Sequence, residues 1–380
     1  ANSTSAAKGK SSSAEVAAGD RPMPGGDGES RDDGAQQRPN IVLIISDDHA
    51  WTDYGFMGHP AIRTPRLDRL ASQSLTFTRG YVPTALCRPS LASIINGRYP
   101  HEHGIVGNDP APLPGIRDRN APEFQARCTE LIDRIDRFPT LPRLLAPLGY
   151  VSFQSGKWWE GAATRGGFDL GMTHGDPSRG GRHGDVGLEI GRQGLEPIKQ
   201  FVDRHRDEPF LIWYAPFLPH EPHTPPQRLL DKYLADDVPP AEAKYRACVE
   251  WFDESCGELL DHLETAGVAE RTIVVYVTDN GWIQRTDRTP VPQGWRQNFA
   301  PGSKQSPNEM GVRTPIMIRW PNHVAALRDE TRIVSSLDLL PTLLAAVGAP
   351  LPDDLPGVDL LAPSTAASPA PLDRREAIFS

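Results

Sequence analysis

Several side chains in this sequence sit where chemistry is feasible. Asp47-Asp48 directly follows the apolar run Asn40–Ser46, and Asp279-Asn280 directly follows Thr272–Thr278. These four residues offer only oxygen donors, three of them carboxylates. Such a set suits Ca²⁺ or Mg²⁺ rather than zinc or copper. Each acidic pair alone is equally a turn or helix-cap signal. Finding both pairs after buried runs favours a metal site. Cys87-Arg88-Pro89-Ser90 opens an apolar stretch closed by Gly97, which predicts a short helix with Pro89 in its first turn. Free N–H groups and the helix dipole make such an N-terminus attractive to anions. On position alone, Cys87 would be a thiol of lowered pKa. Lys157, after Gly156 and before Trp158-Trp159, is either a surface charge or a point charge for an anionic oxygen. His220 and His223 lie in the proline-stiffened segment 219–226. Either could be a general acid or an anion donor, or a loop histidine without a role. Lys304 lies shortly before the last apolar run.

The elements that must position these residues follow from periodicity. Five apolar segments read as buried strands: Asn40–Ser46, Tyr150–Ser155, Phe210–Ala215, Thr272–Thr278 and Pro315–Arg319. Their apolar character is continuous rather than alternating, as expected of a sheet covered on both faces. Helices are predicted over 64–74, with Thr64 as N-cap and Pro65 first, and over 241–266. Strands alternating with helices predict an α/β fold with a mostly parallel sheet. The polar residues fall after the carboxyl ends of four of these strands, where such sheets place their active sites. The stretches 160–187 and 283–310 read as long loops, which in a compact domain are usually functional or disordered.

Composition narrows the function classes. The chain has 380 residues, enough for one large α/β domain or two modest ones, and a formal net charge of −9. That charge argues against a nucleic-acid partner. No apolar run is long enough to span a bilayer. Four cysteines, Cys87, Cys128, Cys248 and Cys256, include no Cys-x-x-Cys pair, so a zinc site is not expected. Residues 1–38 carry almost no large apolar side chains and read as a disordered tail or linker. The start at Ala1 and the strand-like end Ala377–Ser380 read as a processed or partial chain, with no signal peptide present.

From Pro39 to about residue 350 the chain resembles the sulfatases. The matching pieces come in the family's order: Pro39-Asn40-Ile41-Val42 leading to Asp47-Asp48, Cys87-x-Pro89-Ser90, Gly156-Lys157-Trp158, the strand exit to His220, Thr278-Asp279-Asn280-Gly281, and Lys304 ahead of Glu309 and Gly311–Pro315. The resemblance implies a large mixed, mostly parallel sheet sandwiched by helices, of the alkaline-phosphatase type. It implies a catalytic domain over 39–350, with 351–380 as a linker and the truncated start of a smaller C-terminal sheet subdomain around 376–380. It implies oxidation of Cys87 to formylglycine by a formylglycine-generating enzyme, the hydrate of that aldehyde being the nucleophile. A divalent cation, Ca²⁺ with Mg²⁺ as the alternative, would be held by Asp47, Asp48, Asp279, Asn280 and residue 87. Lys157 and Lys304 would hold the anion, and His220 would protonate the leaving group, with His223 as the alternative register.

Three positions depart from the family pattern. Leu91 stands where the family usually has Arg, Trp159 where it usually has His, and Asn96 where it usually has Thr. His174 or His183 in the long loop would be the replacements for the missing histidine. Arg88, next to the cysteine, is expected to point elsewhere on the helix. The implied activity is hydrolysis of a sulfate ester on a small molecule or polysaccharide, in a periplasmic or secreted protein. Arg165, Arg179, Arg182, His174 and His183 hint at a polyanionic carbohydrate. The competing readings are a phosphoester or phosphonate-ester hydrolase of the same superfamily and an anion- or glycan-binding relative without turnover. Trp51, Tyr54, Trp158 and Trp159 are either a sugar-stacking rim or core.

Overall fold

A computed structural model describes residues 38–363, apart from 112, 113, 116, 117, 176–178 and 180, together with residue 372. The tail expected over 1–38, all but its last residue, and the subdomain start at 376–380 lie outside the described residues.

Nine strands build one sheet among these residues: β1 (Asn40–Ser46), β2 (Leu75–Tyr81), β3 (Val151–Gly156), β4 (Leu170–Gly171), β5 (Phe210–Ala215), β6 (Thr272–Thr278), β7 (Arg313–Arg319), β8 (Leu327–Asp329) and β9 (Val334–Ser335). Their order is β4-β3-β5-β1-β6-β7-β2-β8, with β9 also on β2. Neighbours β3, β5, β1 and β6 are all parallel. The antiparallel pairings are those of β7 with β6 and β2.

The central strands are apolar on both faces because both faces are covered. In β1, Ile41, Leu43 and Ile45 enter one core while Val42 and Ile44 enter the other. Burying each such side chain contributes about 1.5–3 kcal/mol. On the first face lie the helices Cys87–Asn96 and Leu339–Val347, through Leu91, Ile94, Ile95, Leu340 and Leu344. The second face is covered by Glu196–His205 and by the 26-residue helix Pro240–Thr265, whose Phe252, Cys256, Leu259 and Leu263 face the sheet. Cys248 and Cys256 are buried core thiols, and both are free.

β2 has no continuous apolar run, since Leu75 and Phe77 alternate with Thr76 and Thr78, and it was not expected as a strand. It is pinned by β7 on one side and β8 on the other, so long-range pairing rather than local pattern makes it a strand. Thr64 occupies the N-cap of Pro65–Ser72, but its hydroxyl donates to Asp68 and accepts from the Gly55 N–H instead of from a backbone N–H of the helix. Asp253, on the long helix, supplies the missing acceptors by taking the N–H groups of Arg66 and Leu67 at 3.1 and 2.8 Å.

Candidate active site

Four adjacent parallel strands deliver their exit residues to one edge. Asp47 and Asp48 leave β1, Lys157 leaves β3, the segment to His220 leaves β5, and Asp279-Asn280 leaves β6. Backbone hydrogen bonds hold the exits in register: Asp47 N–H donates to Leu218 O at 3.0 Å, and Asp279 N–H to Ser46 O at 2.9 Å. Lys157 N–H donates to Ala215 O at 2.7 Å. That approach requires glycine at 156, where φ is +79° and a Cβ would lie 1.9 Å from Ala215 O. Asp48 and Gln305, the latter next to Lys304, both adopt left-handed φ, 58° and 64°. Such strain in non-glycine residues concentrates at functional sites. Gln305 N–H donates to Ala85 O at 2.9 Å, which ties the Lys304 loop to the segment entering Cys87.

The side chains then meet. Lys157 Nζ donates to Asp47 Oδ1 at 2.7 Å and lies 3.9 Å from Asp279 Oδ2. Lys304 Nζ spans Asp48 Oδ1 and Oδ2 at 2.6 and 2.7 Å. Asn280 Nδ2 donates to Asp48 Oδ1 at 2.7 Å, and Asp48 N–H to Asp279 Oδ1 at 3.1 Å. Cys87, first residue of its helix, places Sγ 4.0 Å from Asp47 Oδ1. His220 Nε2 lies 3.2 Å from Asp48 Oδ2 and 3.5 Å from Lys304 Nζ. Its Nδ1 is 2.7 Å from Glu221 O, a carbonyl that can only accept. Nδ1 therefore carries a proton, while Nε2 faces the Asp48 carboxylate and the Lys304 ammonium.

Burial dominates the electrostatics. It pushes the Asp47 carboxyl up to about 7 against the pull of His220 and Lys157, and it also raises Asp279. Asp48 is buried too, but Lys304, His220 and Lys157 outweigh that and hold it at about 2. Burial lowers His220 to about 4. Cys87 is pushed up to about 12 by burial, which the two lysines only partly offset. The expectation of a lowered-pKa thiol is thus overturned: desolvation beside three carboxylates outweighs the helix N-terminus.

A divalent cation fits these residues. Three buried carboxylates face two ammonium groups, so the cluster has an uncompensated acid. Asp279 Oδ2 and Asn280 Oδ1 are buried without a hydrogen-bond partner. Ligand atoms of Asp47, Asp48, Cys87 and His220 all lie within 4.8 Å of one another. Buried unpaired oxygens are costly unless something occupies them.

Other expected residues go elsewhere. His223 does not join this cluster; its ring packs on Tyr245 and Trp282, with centroids at 5.5 and 6.2 Å. His174 lies 3.4 Å from the Asp185 carboxylate. His183 packs between Trp159 and Phe217 at 5.2 and 5.5 Å. Tyr54, Trp158 and Trp159 are core residues and offer no sugar platform, while Trp51 lies under the Arg313 guanidinium at 3.8 Å. Leu91 is buried in the core, and Asn96 turns its Oδ1 onto the Arg98 N–H. Arg165 pairs with Asp133 and Asp136, and Arg182 with Asp109, so internal acids neutralise two of the arginines read as polyanion contacts. Sequence reasoning missed Phe217, which stacks on His220 at 4.2 Å with Lys157 Nζ 5.3 Å from its ring centre. Its place just past β5 was the available signal. Reasoning also missed Glu160 as the partner of Arg88, for which no local signal exists.

A doubly covered, mostly parallel α/β sheet with acids, lysines and a helix-initial cysteine on its carboxyl edge is an alkaline-phosphatase-like architecture. Solved structures share that fold: a sulfatase from Pseudoalteromonas sp., PsFucS1, has TM-score 0.65 at 21% identity over 86% of this chain and 71% of its own. The phosphonate monoester hydrolase of Agrobacterium radiobacter has TM-score 0.56 at 17% identity over 85% and 76%. The family model for sulfatases matches residues 39–349, and the chain belongs to the sulfatase family, hence to the sulfuric ester hydrolases. Among curated relatives, human arylsulfatase A is 29% identical over 85% of this chain and 67% of its own. Human N-acetylgalactosamine-6-sulfatase is 30% identical over 86% and 66%. The chain thus spans about two thirds of the length of these relatives.

Proposed function

We propose that this protein hydrolyses a sulfate ester on a carbohydrate, using formylglycine formed from Cys87 and a divalent cation, Ca²⁺ or Mg²⁺. The observation that carries this reading is the convergence of Cys87, Asp47, Asp48 and His220 ligand atoms within 4.8 Å, flanked by Lys157 and Lys304. A thiol held near pKa 12 is a poor nucleophile as it stands, which favours a modified residue over thiolate chemistry. When present, the cation supplies a Lewis acid and formylglycine the attacking oxygen.

The chain's own residues do the rest. Asp47, Asp48, Asp279 and Asn280 hold the cation. Lys157 and Lys304 hold the non-bridging sulfate oxygens and stabilise charge developing on them. His220, its Nδ1 held by the Glu221 carbonyl, presents Nε2 at the site edge and, when protonated there, passes that proton to the leaving oxygen. Phe217 keeps its ring flat against the imidazole. The carbohydrate preference is supported by the name of the relative N-acetylgalactosamine-6-sulfatase. Residues 39–350 are the catalytic domain in this reading. Maturation by a formylglycine-generating enzyme and a periplasmic or secreted location go with it. No helix among the described residues is long and apolar enough to cross a membrane.

Two measurements test this. Mass spectrometry of the tryptic peptide from Gly80 to Arg98 should show the thiol-to-aldehyde loss and capture by an aldehyde reagent. Paired sulfate and phosphate esters of one aryl alcohol should show turnover of the sulfate. An unconverted Cys87 from a host with a competent maturation system sinks the mechanism. Preference for the phosphate or phosphonate ester moves the chemistry to phosphorus.

A further inference from the structure

We propose that Arg88 and Glu160 are a positioning pair that fixes residue 87 against Lys157. The proposal rests on the sulfatase reading above. Arg88 Nε donates to Glu160 Oε1 at 2.8 Å and Nη2 to Oε2 at 2.7 Å, a two-pronged contact. Both side chains are nearly sealed from solvent, at 4% and 3% exposure. Arg88 directly follows Cys87, and Glu160 lies three residues after Lys157. The pair therefore bridges the two elements that must set an attacking atom and an anion-holding ammonium at a fixed separation.

The bridge is itself braced. Asn108 Oδ1 accepts the Arg88 backbone N–H at 3.0 Å, and Asn108 O accepts from Arg88 Nη1 at 3.4 Å. Neighbouring Asp109 takes Arg182 Nε and Nη2 at 2.8 and 2.7 Å. The Arg182 guanidinium lies 4.6 Å from the Trp159 ring centre, and that of Arg88 lies 6.0 Å from it. A loop of contacts thus closes around Trp159. With its fork spent on Glu160 and Asn108, Arg88 acts through its neighbour and is not a catalytic residue.

Stability alone does not account for this pair. A desolvated ion pair is commonly no better than a packed apolar pair of similar volume, although breaking it from one side costs several kcal/mol. What the planar fork adds is geometric: two parallel hydrogen bonds fix both distance and rotation. A misplacement of about 1 Å between reacting groups can cost ~10²-fold in rate.

The test replaces both partners at once, Arg88→Met with Glu160→Leu, so that no lone charge is buried. Arg88→Lys is the conservative companion, keeping charge without the fork. Each protein is assayed with 4-nitrophenyl sulfate, and kcat is expressed per formylglycine found in the Gly80–Arg98 peptide. Thermal melting reports folding. The double variant should melt close to the parent, lose roughly 10–100-fold in kcat and shift KM by less than about 3-fold. Arg88→Lys should fall between the two. A folded double variant with kcat within about 3-fold of the parent overturns the proposal, as does a rise in KM alone. If the double variant does not fold, Arg88→Lys decides, and parental kcat in that protein overturns the pair's role. An unconverted and inactive parent instead defeats the underlying sulfatase reading, so the two failures are separable.

Discussion

Two regions of this molecule bury carboxylates equally well and treat them in opposite ways. Asp253 and Asp338 are sealed in the interior, and each spends both oxygens on backbone N–H groups: Arg66 and Leu67 for Asp253, Ser335 and Val358 for Asp338. On the carboxyl edge of the sheet, Asp279 Oδ2 and Asn280 Oδ1 have no hydrogen bond, and two lysines crowd onto Asp47 and Asp48. Structural acids are satisfied by fixed dipoles that need no partner from outside. The edge acids are left incomplete, and buried polar groups stay incomplete where a ligand completes them. His103 belongs with the satisfied class: Ile105 N–H donates to its Nδ1 at 3.1 Å, so Nε2–H donates to Ser93 Oγ at 3.1 Å.

Changes in the two regions should therefore separate activity from stability. The largest effect is expected at the edge. Lys304→Met should lower kcat by ~10²–10³-fold, the usual loss when one oxyanion donor is removed. A decrease under about 3-fold would remove Lys304 from the machinery. Next is a pH effect in the satisfied class. Burial lowers His103 to about 4, below its unfolded value of 6.5, so the unfolded chain binds more protons between those values. Stability from this site is fully present above pH 6.5 and declines as pH falls through 6.5 towards 4. The total is about 3 kcal/mol. Denaturant melts of the parent and His103→Gln across that window should show a shallower slope in the variant. Equal slopes would place the titration elsewhere.

Metal addition sharpens the comparison from the incomplete side. After chelation, Ca²⁺ or Mg²⁺ at a hundred times its dissociation constant should stabilise the protein by about 2.7 kcal/mol. Asp279→Asn should abolish that gain, while Asp338→Asn should leave it. A melting temperature indifferent to both ions contradicts the cation site. The smallest effect is Asp253→Ala, which orphans two helix N–H groups. It should cost about 1–2 kcal/mol in a melt with kcat unchanged. A loss of kcat there would mean that the two classes of buried acid are coupled.

Much was legible in local pattern. Three of the five predicted strands have the observed bounds, β1, β5 and β6, because a strand covered on both faces is apolar at every position. A short helix opening at Cys87 and closed by Gly97 followed from proline and glycine placement. β2, with its alternating threonines, was invisible because its strand character comes from β7 and β8 across long stretches of chain. The short strands β4, β8 and β9 were hidden for the same reason.

By itself the sequence determined which residue types arrive at the carboxyl edge, since a strand exit is a local property of where an apolar run stops. Only the tertiary structure decided what those residues become there. It set His220 rather than His223 against Asp48 and Lys304, turned the expected activated thiol of Cys87 into one near pKa 12, and drew Arg88 into the interior against Glu160. The physical reason is that desolvation and pairing depend on which distant segments close over a group, and no neighbour in the chain encodes that.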